Sequence, residues 1–156
     1  MNSDAPDRQD WMTTLALSSV DDLDRHWAAL ADKPDFAWLK PPEFGAIMVR
    51  GRTSGTGVAF NVGEMTVTRC SLQLANGAVG VAYVAGRGKR HAALAAVFDA
   101  LLQSGDERGA FARRAVDDLS ARITRQQRQE TAKAYTSKVD FFMLTRDEED
   151  HDQVGS

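Results

Sequence analysis

The sequence is poor in cysteine and lacks a long apolar run. Cys70 is the only cysteine among 156 residues, which excludes an internal disulfide framework and indicates a reducing compartment. No hydrophobic stretch approaches the roughly 20 residues that span a bilayer. The first residues are polar and acidic, unlike a signal peptide. These features predict a cytoplasmic protein with no membrane partner.

The sequence also lacks an excess of basic residues and a set of metal ligands. Its net charge is -3, from 19 basic and 22 acidic residues, so no nucleic-acid partner is predicted. His26, His91 and His151 are far apart and have no cysteine or carboxylate at ligand spacing, so no metal site is predicted. There is no nucleophile elbow and no compact carboxylate pair. The chain is therefore poorly equipped as a stand-alone enzyme.

The apolar content of 43% suits one domain with a buried core, which we place at residues 1–147. The acidic segment 148–156 is predicted to be a disordered tail.

A first helix is expected over residues 6–17. A second begins after Ser19, with an apolar stripe at three- and four-residue steps. The stripe consists of Val20, Leu23, Trp27 and Leu30.

Asn76-Gly77 lies between two β-rich runs and is typical of a two-residue hairpin turn. Such a turn places Leu74 opposite Val79 and continues along both strands. The predicted core face then consists of Cys70, Leu72, Leu74, Val79, Val81 and Tyr83. The opposite face, which includes Gly80 and Ala82, is small and nearly uncharged. We therefore expect another element or another chain to cover that face.

A third helix is predicted after the hairpin, over residues 90–103. Its core stripe consists of Leu94, Val97, Phe98, Leu101 and Leu102. The other face is rich in alanine, and Asp99 is the only charged residue between His91 and Ser104. This helix is therefore expected to be contacted on two sides.

The last third of the chain begins with an amphipathic helix that becomes polar on all sides over residues 124–133. The apolar segment Val139–Arg146 then resembles a strand. The predicted fold is therefore α+β, with an antiparallel sheet around the central hairpin, helices packed on it, and a C-terminal helix-strand arm.

A basic glycine turn joins the hairpin to the third helix. Backbone N–H groups at a helix start, together with cations, suit a phosphate group. The anion-binding candidates are Arg69, Arg87, Lys89, Arg90 and His91. The alternative is an ordinary strand-to-helix turn with solvated cations, since neither Walker A nor the dinucleotide fingerprint is present. The loop from Arg52 to Val58 is a weaker candidate of the same kind.

Four segments follow one another along the chain: "RQDWM", "SGTG" followed by "FNVGEMTVTRCSLQL", "NGAVGVAYVAGRGKRHAALAAVFDALLQ" and "SKVDFFMLTR". Together they resemble the PhnG family, a subunit family of the carbon–phosphorus lyase system for phosphonate metabolism. The order and spacing of all four segments are more specific than any one of them.

The resemblance implies a subunit of the core complex that contains PhnI-, PhnH- and PhnJ-like subunits, acting with a PhnL-like ATPase subunit. That assembly replaces the adenine of ATP with methylphosphonate and gives α-D-ribose 1-methylphosphonate 5-triphosphate. MgATP is then a substrate of the complex, and no cofactor is expected on this chain alone. The catalytic residues of this subunit are unknown, and an auxiliary role is expected.

A second hypothesis from another class is a small homo-oligomeric module that binds an anion or a nucleotide without catalysis. It is based on the basic residues around the glycine turn. Under either hypothesis, the uncovered faces of the isolated chain are expected to drive homo-oligomer formation.

Overall fold

The computed structural model describes the backbone of residues 4–52 and 59–154 and the side chains of residues 7–48 and 63–133. The strands of this part form one antiparallel sheet in the order β1-β2-β3. The elements are α1 (Asp4–Leu17), α2 (Val20–Ala29), β1 (Phe36–Arg52), β2 (Ala59–Leu74), β3 (Val79–Ala85), α3 (Lys89–Leu102) and α4 (Glu107–Val154). The predicted α+β class is confirmed.

The chain divides into two compact units, residues 1–120 and 121–156. The first unit holds the sheet, α1 to α3 and the first part of α4, and the second unit holds the remainder of α4. Within the described residues, no helix is both long enough and apolar enough to cross a membrane. The placement of a single domain at residues 1–147 stays a prediction.

The first two helices form where the apolar spacing predicts them. Ser19 is the N-cap of α2, and its hydroxyl oxygen accepts a hydrogen bond from the backbone N–H of Asp22 at 3.1 Å. Leu23 and, just past the helix end, Leu30 are buried in the core, as the predicted stripe requires. The predicted cap and the predicted apolar face of α2 are therefore both present.

The hairpin is present, but the predicted register is wrong by one residue. Leu74 and Ala78 are joined by a backbone hydrogen bond, and Gly77 has a φ of 93° while no described non-glycine residue has a positive φ. A two-residue type I′ turn would need a positive φ at Asn76 as well, so the loop instead has three residues, 75–77. Cys70 consequently pairs with Ala82 rather than with Tyr83.

The shift in register exchanges the two faces of β3. Gly80, Ala82 and Val84 are buried, whereas Tyr83 is 58% exposed. The small, uncharged face of β3 is therefore covered, as expected, but α3 of the same chain covers it. A Cβ at position 80 would overlap the carbonyl oxygen of Ala96 in α3. Glycine is thus required there for the close approach of strand and helix.

α3 is the central helix of the core. Its predicted apolar stripe is buried, and so are most of its alanines, because α1 and α2 pack on the helix in addition to the sheet. The predicted contact on two sides is confirmed. The first part of α4 adds Ala112, Ala115 and Leu119 to the same core.

The predicted C-terminal strand over Val139–Arg146 is wrong, because α4 continues through this segment to Val154. A short apolar run does not distinguish a strand from a helix by periodicity. Residues 110–154 contain no proline or glycine, so the helix can extend one residue at a time, whereas a strand would need a pairing partner. α4 also includes residues 148–154, for which the sequence predicts no regular structure.

Candidate functional site

The glycine turn between β3 and α3 is held by a buried threonine on β2. The hydroxyl of Thr68 donates to the carbonyl oxygen of Gly86 at 2.7 Å and accepts from the N–H of Gly88 at 3.0 Å. Gly86 has a φ of 84°, and its N–H donates to the carbonyl oxygen of Thr66 at 2.8 Å. These bonds fix the turn, and with it the two cations at positions 87 and 89, against the end of the sheet.

Two of the five predicted anion ligands converge on one aromatic ring. The guanidinium carbon of Arg87 lies 5.5 Å from the centroid of Phe44, and the ammonium nitrogen of Lys89 lies 5.1 Å from it. Both distances are within the range of a cation–π interaction. Phe44 itself is 45% exposed. The structure thus brings Arg87 and Lys89 together on an exposed aromatic side chain.

Arg90 and Arg69 contact carboxylates of the same chain. The Nε of Arg90 donates to Asp24 in α2 at 2.7 Å, and this hydrogen bond raises the pKa of Arg90 above its ordinary value. The Nε of Arg69 donates to Glu43 at 2.8 Å. Arg69 lies on the sheet face opposite Thr68, because alternate residues of a strand point to opposite faces. It is therefore on the other side of the sheet from the turn.

His91 also has a partner within the fold. Its Nε2 lies 3.0 Å from the carbonyl oxygen of Leu15, which can only accept, so this nitrogen carries the proton. The side chain joins the start of α3 to the end of α1. The second predicted anion site, the loop from Arg52 to Val58, lies outside the described residues except for the backbone of Arg52 at the end of β1.

The sequence reasoning missed a polar cluster around Asp99. This carboxylate is fully buried in α3 and accepts hydrogen bonds from Arg8, Trp11 and the backbone N–H of Val81, at 2.8 to 3.3 Å. The hydrogen bond to Asp99 raises the pKa of Arg8. A signal was available, because Asp99 is the only charged residue between His91 and Ser104, and Arg8 and Trp11 both lie within the early "RQDWM" segment.

Cys70 is a buried, unreactive thiol in this fold. It is 3% exposed on the helix-covered face of β2, and burial raises its pKa from 9.0 to about 11. Nucleophilic and metal-binding cysteines need the thiolate, which is disfavoured here. In the described residues, no group of three or more histidine, cysteine or acidic side chains could hold a metal ion.

Among the described residues, several clefts lie away from the glycine turn, and two of them adjoin α1 or α2. One, of about 210 Å³, separates α1 from β3 and is lined by apolar side chains such as Met12 and Val81. The other, of about 450 Å³, lies between the end of α2 and the start of α4, beside the ion pair of Arg108 with Asp32. Neither cleft is lined by any of the five predicted anion ligands.

Comparison with known proteins matches nearly the whole chain to one family. The family described as phosphonate metabolism protein PhnG matches residues 6–147. The chain is similar to the alpha-D-ribose 1-methylphosphonate 5-triphosphate synthase subunit PhnG of Rhizobium meliloti (strain 1021), with 38% identity over 142 residues. The alignment covers 91% of this chain and 90% of that protein. This chain therefore belongs to the PhnG family of phosphonate metabolism proteins.

Proposed function

We propose that this chain is a subunit of a carbon–phosphorus lyase core complex. In that complex it supports the synthase that replaces the adenine of ATP with methylphosphonate to give α-D-ribose 1-methylphosphonate 5-triphosphate. The observation that carries the proposal is the 38% identity to a subunit of that synthase, which extends over nine tenths of both chains. Other subunits of the complex are the expected partners, and PhnI-, PhnH- and PhnJ-like proteins with a PhnL-like ATPase are the ones we propose.

We place the role of this chain in assembly rather than in catalysis. Three of the five predicted ligands are bonded to groups of the fold: Arg69 to Glu43, Arg90 to Asp24, and His91 to the backbone of Leu15. The two that converge on Phe44 lie on an exposed surface. MgATP is accordingly proposed as a substrate of the complex and not as a ligand of this chain alone.

The test is a reconstitution with and without this chain. The co-expressed subunits, ATP, Mg²⁺ and methylphosphonate are incubated, and adenine release is followed by chromatography. Omission of this chain should abolish adenine release, and addition of the purified chain should restore it. Full turnover in its absence would overturn the proposal. Adenine release by the isolated chain at the rate of the complex would overturn the auxiliary role alone.

A further inference from the structure

We infer that Phe44, Met48, Arg87 and Lys89 form a docking site for a surface segment of another subunit that carries carboxylates beside apolar side chains. We call these four residues the Phe44 patch. The inference rests on the proposed function and goes beyond it, because it names the surface and the chemistry of the partner.

The two cations of the patch have no ion-pair partner among the described carboxylates, including Glu64, which lies opposite Met48 on β2. Arg87 and Lys89 approach the same ring, so their like charges repel each other, and neither forms an ion pair with a described carboxylate. The neighbouring cations differ, since Arg90 is paired with Asp24 and Arg69 with Glu43. The whole sequence has 22 acidic and 19 basic residues, so a general shortage of acids does not explain the unpaired charges. An external carboxylate would relieve the repulsion.

The apolar part of the patch lies where the sheet changes from three strands to two. Phe44 and Met48 are four residues apart in a regular stretch of β1 and share one face, and they are 45% and 50% exposed. β3 ends opposite Val67, so beyond that point β1 and β2 form a two-stranded ribbon. An isolated two-stranded ribbon is marginally stable in water, and exposed apolar side chains on it favour burial against another surface.

A polypeptide fits this combination better than a small phosphate ligand. A phosphate would neutralise the two cations but would leave the Phe44 ring and the Met48 side chain in water. A protein segment with acidic and apolar side chains covers both, and charged contacts around an apolar centre are the usual arrangement of protein interfaces. The cation–π contacts with Phe44 also favour positions of both cations beside the apolar part of the patch before the partner binds.

The experiment uses the complex assembled from this chain and the co-expressed PhnI-, PhnH- and PhnJ-like subunits. A carbodiimide reagent joins lysine amines directly to carboxylates, and mass spectrometry identifies the joined peptides. Lys89 should be linked to an aspartate or glutamate of another subunit. Lys89→Arg keeps the charge but cannot react, so this variant should assemble normally and lose only that crosslink.

A charge reversal measures the contribution of the patch to assembly. Arg87→Glu/Lys89→Glu should weaken retention of the other subunits by about tenfold or more, because two attractions become repulsions. Arg114→Glu/Arg128→Glu, at exposed positions on α4, changes the net charge equally and should have little effect. Retention of the other subunits by the wild-type chain should decrease as the salt concentration rises from about 0.05 M to about 0.5 M. Retention by the Arg87→Glu/Lys89→Glu variant should change less. Thermal denaturation of each isolated variant checks that the fold is intact.

The outcomes separate this inference from the proposed function. If the wild-type chain assembles, but Lys89 forms no intersubunit crosslink and the charge reversal assembles equally well, the inference is overturned and the proposed function stands. Protection of Lys89 by ATP in the isolated chain would also overturn it, because the patch would then be a phosphate site. If the wild-type chain captures no other subunit, the proposed function fails and the inference fails with it.

Discussion

The carboxylate of Asp99 accepts a hydrogen bond from the backbone N–H of Val81 at 2.9 Å. β3 is an edge strand, and this N–H points away from its neighbour β2. The same carboxylate binds Arg8 and Trp11 of α1. One buried acid thus joins α3, α1 and the free edge of the sheet, and it satisfies an edge donor that could otherwise pair with another chain.

Replacement of Asp99 by asparagine should therefore destabilise the fold. Asp99→Asn removes the charge that faces Arg8 and leaves one acceptor oxygen for Trp11 and Val81. We expect the free energy of unfolding to fall by roughly 2–3 kcal/mol, since loss of one partner leaves buried polar groups unsatisfied. Urea denaturation measures this change. Asp117→Asn, at an exposed position on α4, is the matched control, and equal stabilities of the two variants would contradict the assignment.

The contact of Gly80 with Ala96 predicts a second large effect. In Gly80→Ala the added methyl group would overlap the Ala96 carbonyl oxygen, so β3 and α3 must separate. We expect a loss of about 2–4 kcal/mol in the free energy of unfolding. Gly105→Ala is the control, because a Cβ at that position has no atom within 4 Å. A Gly80→Ala variant as stable as Gly105→Ala would show that strand and helix are not packed this closely.

The raised pKa of Cys70 predicts a loss of stability at high pH. Burial raises its pKa from 9.0 to about 11, so in this range the folded state holds the proton more tightly than the unfolded state. The contribution is fully present below about pH 9 and is lost as the pH rises toward about 11. Urea denaturation across this range should show a steeper decline for the wild type than for Cys70→Ala. If the stabilities of the wild type and of Cys70→Ala decline equally with pH, Cys70 is not the cause of the loss.

Exposed apolar side chains on the ribbon predict self-association of the isolated chain. Ile47 is 45% exposed on the face opposite Phe44, and Met65 lies directly across from it. Light scattering should detect dimers or larger species, and Ile47→Lys should shift them toward monomer. Leu17→Lys, at a more exposed apolar position on α1, is the control and should change little. If the wild type is monomeric at high concentration, these exposed faces do not drive self-association.

The helices α2 and α3 were predictable because the sequence features that indicate them lie within a few residues of one another. Apolar periodicity placed α2 and α3, and Ser19 acts as the predicted cap. The register of the hairpin was not predictable, because Asn76-Gly77 fits both a two-residue and a three-residue loop. The one-residue difference reversed which side chains of β3 are buried. The prediction of a C-terminal strand was wrong for a related reason, since a short apolar run does not by itself distinguish a strand from a helix.

The candidate site likewise has some features that were predictable from the sequence and others that were not. The sequence alone predicted α1 to α3, the existence of the hairpin, the basic character of the turn and the resemblance to PhnG. The fold was needed to show that Arg69 and Arg90 are paired with acids of the same chain, that Arg87 and Lys89 share the ring of Phe44, and that α3 covers the small face of β3. Capping and periodicity act over a few residues, whereas charge pairing and face burial depend on residues brought together from distant parts of the chain.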